Sequence, residues 1–247
     1  MSDLELDRTY KRNDQGPKVK LIQEWLCLNG VQVKLDEEFG PATEAAVKLF
    51  QTKSKLTSDG VVGPKTFTKL IQPMTNALKS RSAGTGGLGA LVVQYARQHL
   101  ASRPREIGGE NSGPWVRLYM DGKEGTAYAW CAGFACFILK QACTSVGSVL
   151  PIRASVSCDE LAASAQQRGV FLAGGIGVDH TRLTPGSFFL NRRTDRDWVH
   201  TGIVTRVEPE AFQTIEGNTN DEGAREGYEV CQRVRPFGAR DFILIGN

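Results

Sequence analysis

The 247-residue sequence has no run approaching the ~20 apolar residues needed to cross a bilayer, so membrane insertion is not expected. Its opening, Met-Ser-Asp-Leu-Glu-Leu-Asp, lacks a basic region followed by an apolar stretch, and no Sec signal peptide is expected. Its cysteines, Cys27, Cys131, Cys136, Cys143, Cys158 and Cys231, show no paired C-x-x-C spacing. That argues against a zinc site, and neither a metal nor a cofactor is expected. Charge of one sign is also scarce. A net +3 without any block of basic residues is too little for nucleic-acid binding, though it suits an anionic polymer. Histidine occurs only three times, as His99, His180 and His200. Any imidazole chemistry must use one of them.

Small, flexible residues dominate the second half of Gln72–Gly89. This composition predicts a flexible linker over residues 73–89. It separates a small module, residues 10–72, from a larger one, residues 90–247. The small module carries an internal repeat. Asp36-Glu-Glu-Phe-Gly40-Pro41-Ala-Thr43 recurs at an offset of 23 as Asp59-Gly-Val-Val-Gly63-Pro64-Lys-Thr66. Each copy predicts a tight turn and a helix capped by its threonine. A preceding helix runs through Val19, Ile22, Gln23 and Leu26, giving three short helices around a small core.

The larger module begins with an amphipathic helix over Leu91–Leu100 and a loop over Glu106–Val116. Helices follow, starting near Cys131 and Cys158. Strands are predicted at 186–190, 200–207, 211–216, 228–234 and 242–245 from alternation and β-branched content. Helices first and strands afterwards predict an α+β domain, with a helix packed on an antiparallel sheet.

Trp130-Cys131 opens an apolar helical run. Free N–H groups and the helix dipole at such a position favour a thiolate and can receive an oxyanion. Alone, Cys131 would read as a buried core thiol. In the strand His200-Thr-Gly-Ile-Val204, His200, Gly202 and Val204 share a face. Gly202 leaves the position beside His200 open to a substrate or a helix. On the next strand Thr214, Glu216 and Asn218 share a face. A hairpin can therefore set Glu216 or Asn218 beside His200 to fix its tautomer while the other nitrogen faces Cys131. Nucleophile, base and orienting group together are the kit for cysteine acyl transfer. His99, at a helix end, and His180, in a polar loop, read as surface residues. Trp115, Trp130, Trp198 and Asn111 are candidate substrate-binding residues, with core packing the alternative for the tryptophans.

Two resemblances accompany these readings. Residues 10–72 resemble the three-helix peptidoglycan-binding domain of cell-wall enzymes, through Gly16, Val19, Ile22, Gln23, Leu26, Asp36, Phe39, Gly40, Thr43 and the repeat-related residues after them. A helical spacer without wall affinity is the plainer alternative. Residues 91–247 resemble the CHAP domain (cysteine, histidine-dependent amidohydrolase/peptidase). The carriers are Glu106-Ile-Gly, Asn111-x-Gly113-Pro114-x-Val116, Trp130-Cys131-Ala-x-Phe134, Pro185-Gly186, His200-x-Gly202-Ile203-Val204 and Ile215-Glu216-Gly217-Asn218-Thr219.

The CHAP resemblance implies a papain-like, NlpC-type fold and hydrolysis of a peptidoglycan amide. Cys131 would be the nucleophile, His200 the base and Glu216 the orienting group, with Asn218 assisting. Alternatives from other classes are a non-catalytic wall-binding or virion structural protein, and a papain-like acyltransferase. A monomer acting on peptidoglycan in the periplasm or wall is expected, reached by holin release as a phage lysin or by a secretion machine as an antibacterial effector. An effector would imply a cognate immunity protein.

Overall fold

The computed structural model describes residues 3–82, 84–175, 179–219 and 227–246. Its amino-terminal module consists of α1 (Pro17–Leu28), α2 (Pro41–Lys53), α3 (Pro64–Leu70) and α4 (Gln72–Ala77). The first three each open with proline after a glycine, Gly16, Gly40 or Gly63. Proline suits the first helical position because the N–H it lacks would have no intrahelical partner there. The repeat is visible as two matching polar clamps. Gln23 Nε2 donates to Asp36 at 2.8 Å, to the Glu38 carbonyl at 3.0 Å and to Thr43 at 3.1 Å. Gln51 Nε2 donates to Asp59 at 2.7 Å, to the Val61 carbonyl at 2.9 Å and to Thr66 at 3.1 Å. The expected threonine caps are corrected here. Gly40 and Gly63 occupy the cap positions, with no side-chain cap bond. Thr43 and Thr66 lie buried inside the first turn and serve the glutamine clamps.

The expected linker over 73–89 is also corrected. Its first part is the helix α4, with Met74 and Ala77 buried. Gln98 Nε2 fixes its end by donating to the Ala77 and Lys79 carbonyls, each at 2.8 Å. Helix α5 (Gly87–Ala101) starts before the linker was expected to finish. Residue 83 lies outside the described residues. Burial of Met74 and capture of two carbonyls hold this segment despite its composition.

The modules share one apolar core. Trp25 of α1 meets Trp115 edge-on, with ring centroids 6.4 Å apart. Trp115 lies on α6 (Pro114–Tyr119), within the stretch expected to be a loop. It is 1% exposed, and of the two readings offered for it the packing one describes its contacts, although one edge lines a cavity between the modules. Arg117, also on α6, donates to Glu24 at 2.7 Å, Asp3 at 2.8 Å and Glu124 at 2.6 Å. His99 is not a surface residue either. It is fully buried, with Nδ1 2.8 Å from the Tyr119 hydroxyl and Nε2 2.8 Å from Gln141. Burial lowers its pKa to about 4, so the ring is neutral.

Beyond α6 come α7 (Cys131–Val146) and α8 (Cys158–Gln167). The strands are β1 (Phe171–Leu172), β2 (Phe188–Thr194), β3 (Asp197–Val207), β4 (Ala211–Thr219), β5 (Glu229–Pro236) and β6 (Arg240–Ile243). They form one antiparallel sheet in the order β1-β6-β2-β3-β4-β5. Phe188, Leu190, Ile203 and Ile215 join the helix-covered core, while Phe189, Val204, Phe212 and Phe242 form a second cluster. The architecture is α+β, as expected. Strand β1, two residues long, is too short to show alternation in the sequence.

Replacing Arg117 with Ala should cost about 3 kcal/mol, because the buried Glu24 loses its closest cation and keeps only Lys20, 3.9 Å away. Calorimetry should show the melting temperature falling by roughly 6–12 °C, with partial recovery on adding Glu24→Gln. His99 binds a proton near 6.5 in the unfolded chain but only near 4 when folded. Stability should therefore fall as pH drops through that window, by at most about 3 kcal/mol. Denaturant titrations should show a weaker acid dependence in His99→Gln.

Candidate active site

Cys131 is the first residue of α7, whose cap residue Trp130 supplies no side-chain acceptor to the free N–H groups. Trp130 is held from behind. Its indole N–H donates to Glu106 Oε1 at 2.8 Å, and its ring stacks on Tyr119 with centroids 5.5 Å apart. Complete burial corrects its expected role as a substrate-binding residue, since no face of the ring is left open. Glu106 also accepts the Asn111 backbone N–H at 2.7 Å. One carboxylate thus ties the loop before α6 to the start of α7.

The structure brings His200 and Glu216 together across β3 and β4. His200 Nε2 lies 2.8 Å from Glu216 Oε2. Arg235 of β5 donates Nε to Oε1 and Nη2 to Oε2, both at 2.5 Å, and the Thr214 hydroxyl donates to Oε1. Burial opposes ionisation of Glu216, but Arg235 and then His200 overcome it and bring its pKa to about 2. Burial likewise disfavours imidazolium, yet Cys131 and Glu216 raise the His200 pKa to about 9.

His200 Nδ1 is buried without a hydrogen-bond partner. It is the nitrogen left for Cys131, whose sulfur couples to the ring electrostatically without closing a hydrogen bond. Such contacts are commonly loose before substrate binds. The Cys131 thiol is held well below its usual pKa, against the opposing effect of its own burial. The Cys158 thiol is the largest cause, followed by His200 and the Thr201 backbone N–H. Cys158 Sγ lies 4.0 Å from Cys131 Sγ. The first residues of α7 and α8 therefore meet sulfur to sulfur.

Two glycines make room for this arrangement. A Cβ on Gly202 would fall 2.6 Å from Glu216 Cγ, and one on Gly217 would fall 2.7 Å from Phe134 Cβ. The space beside His200 that the sequence left open is filled by the orienting carboxylate, rather than by a substrate or a helix.

Asn218 follows in a bulge of β4, in the left-handed conformation at φ 54°. Glu216, not Asn218, holds the imidazole. Asn218 and Asn111 instead line one cavity of about 530 Å³ next to the site, together with Glu106, Glu110 and Tyr228. Both side-chain Oδ1 atoms are buried and unpartnered. Trp198 is half-buried. It donates its indole N–H to Asp241 and its backbone N–H to Asp159, both at 2.7 Å. It braces the start of α8 more than it lines a cleft. Another cavity, of about 1080 Å³, lies between the modules and includes neither Cys131 nor His200. His180, expected on the surface, is half-buried and stacks on Phe237.

Arg235 and Cys158 escaped the sequence reading. Alternation along β5 could have marked Arg235 as facing the same way as Arg233, but not toward Glu216. Nothing local ties Cys158 to Cys131. Among the described residues no cluster of His, Cys, Asp or Glu could hold a metal, and no helix is long and apolar enough to cross a membrane.

Residues 15–70 match the family model for a peptidoglycan binding domain, and the chain carries such a domain at its amino-terminal end. The chain is 51% identical over 43 residues to the zinc D-Ala-D-Ala carboxypeptidase of Streptomyces albus G. It is 38% identical over 68 residues to the carboxy-terminal processing protease CtpA of Bacillus subtilis. These matches take in 17% and 28% of this chain, and the chain spans only 17% and 15% of those relatives. Among solved structures, the SleB N-terminal domain is 34% identical, with 27% of this chain and 93% of that one covered and a TM-score of 0.26. The Burkholderia AP3 phage endolysin is 26% identical, with 36% of each chain covered and a TM-score of 0.25.

Gly202→Ala should push the Glu216 carboxylate away from His200 and lower the melting temperature, because the added Cβ would also fall 2.9 Å from Phe189. Iodoacetamide titration should then show the Cys131 pKa rising toward the free-thiol value of about 8.5 without reaching it, because Cys158 stays in place. The unsubstituted chain should stay reactive well below that pH.

Proposed function

We propose that the chain is a peptidoglycan amide hydrolase working through an acyl-enzyme on Cys131. The observation that carries this reading is the Cys131–His200–Glu216 constellation, in a chain that also holds a peptidoglycan-binding domain. The resemblance of residues 91–247 to the CHAP domain supports it. So does a nucleophile helix packed on an antiparallel sheet that bears the base, as a papain-like fold requires. The module would hold the hydrolase at the polymer and raise its local concentration there.

In the proposed cycle the Cys131 thiolate attacks the amide carbon. The free N–H groups at the start of α7 stabilise the developing oxyanion. His200, protonated in the ion pair, delivers its Nδ1 proton to the leaving amine. The neutral ring then takes a proton from water, which attacks the thioester and releases the acid. Glu216 keeps Nε2 protonated and the ring in place, and Arg235 keeps Glu216 ionised. The unpartnered Asn111 and Asn218 oxygens offer acceptors for substrate amide N–H groups. The scissile bond is the muramoyl–alanine amide or a peptide bond of the stem or cross-bridge. The route to the wall is holin release or secretion-machine delivery, the latter with an immunity protein. A holin gene or a small immunity gene beside the coding sequence distinguishes the two routes.

Cys131→Ala should abolish product release from purified sacculi while sacculus pull-down is retained; continued cleavage would sink the mechanism. Mass spectrometry of wild-type digests should show glycan freed of peptide, or a cut stem. Glu216→Gln should lower kcat on the order of 10⁴-fold, as loss of a triad's orienting carboxylate does. The alkaline limb of the rate profile, expected near the His200 pKa of about 9, should move to lower pH in that variant.

A further inference from the structure

The Cys-His-Glu chemistry needs one thiol, yet the structure sets two side by side. Cys131 and Cys158 are both buried, their sulfurs are 4.0 Å apart, and each opens a helix. Cys158 is fixed in place. Ser157 caps α8 by accepting the Glu160 N–H, and the neighbouring Asp159 accepts the Trp198 backbone N–H. A helix start favours an anion at either sulfur. Closing a bond needs the sulfurs, now 4.0 Å apart, to approach to about 2.05 Å.

We propose that Cys131 and Cys158 are a site of reversible oxidation, in which a hydroperoxide converts the nucleophile and its neighbour into a disulfide that switches hydrolysis off. The Cys131 thiolate attacks the peroxide oxygen. An S–O bond forms, the O–O bond breaks, and the leaving alkoxide or hydroxide takes up a proton. Cys131 is then a sulfenic acid. Cys158 attacks that sulfur, forming S–S and breaking S–O, and hydroxide leaves with the Cys158 proton as water. The peroxide gains the two electrons that the sulfur pair loses.

The Cys131 thiolate is the main reason the Cys158 thiol resists ionisation. The sulfenic acid is neutral, so that restraint ends once Cys131 is oxidised. The device is therefore ordered, with Cys131 reacting first and Cys158 resolving. A thiol reductant reverses it by exchange. Cys136 lies on the same helix as Cys131, but burial pushes its thiol up to about 11, which leaves it inert to peroxide. The loss of hydrolysis rests on the proposed hydrolase activity; formation of the bond does not.

The test uses the full chain with a few-fold molar excess of hydrogen peroxide, enough to carry an unresolved sulfenic acid on to sulfinic acid, followed by non-reducing peptide mass mapping and sacculus digestion. Wild type and Cys136→Ser should both yield a Cys131–Cys158 cross-linked peptide. Dithiothreitol should remove the cross-link and restore digestion. Cys158→Ala should instead accumulate sulfinic acid at Cys131, beyond rescue by dithiothreitol. Over-oxidation of Cys131 in wild type, with Cys158 still a free thiol, overturns the inference. A reversible cross-link in a chain that never digests sacculi when reduced supports the redox pair and removes the hydrolase reading.

Discussion

The buried carboxylate of Glu216 is the constraint around which the larger module is arranged. A fully buried anion is costly to desolvate and is tolerated only with close partners. Here three side chains from three strands supply them: His200 from β3, Thr214 from β4 itself and Arg235 from β5. The register of those strands is thereby fixed to the charge. Gly202 gives the carboxylate its space, and Gly217 lets the strand approach Trp130 and Phe134. The charge that orders the sheet also raises the His200 pKa, so structural and chemical roles fall on one group.

Around Cys131 the same economy holds at the helix ends. Helix α7 begins without a side-chain cap, and its first residue is the thiol. Free N–H groups that would weaken an ordinary helix become the place for an anion. Glu106 holds Trp130 in position from outside the sheet. The second thiol, at the start of α8, meets the first because Trp198 and Asp159 tie that helix to β3.

The two modules are joined by more than a tether. A shared apolar core, the Trp25–Trp115 contact and the Arg117 fork make the peptidoglycan-binding domain a packed neighbour of the larger module. Arg117 is flanked by carboxylates from both modules, which hold its guanidinium charged. Separating the modules would cost Glu24 its closest cation and leave Arg117 with Glu124 alone of its two module partners, a stronger restraint than the composition of the connecting segment implies.

Local chemistry made much of this legible. Turn residues at fixed offsets marked the repeat, because a Gly-Pro turn and the helix after it are written in adjacent residues. Two-residue alternation placed Glu216 on the face that meets His200, because a strand's geometry is regular enough to carry such an inference. Local reasoning failed wherever a partner came from afar. The helix dipole alone places His99 at the surface, but Tyr119 and Gln141 bury it. The composition of residues 73–89 predicts a linker, but Gln98 pins the first of them. Thus the sequence by itself determined most of the element types, the repeat and the order of Cys131, His200 and Glu216 along the chain. Only the tertiary structure decided that Arg235 would secure that acid, that Trp115 would join two modules, and that Cys158 would stand against Cys131. Each of those depends on distant segments meeting in three dimensions, which no local pattern encodes.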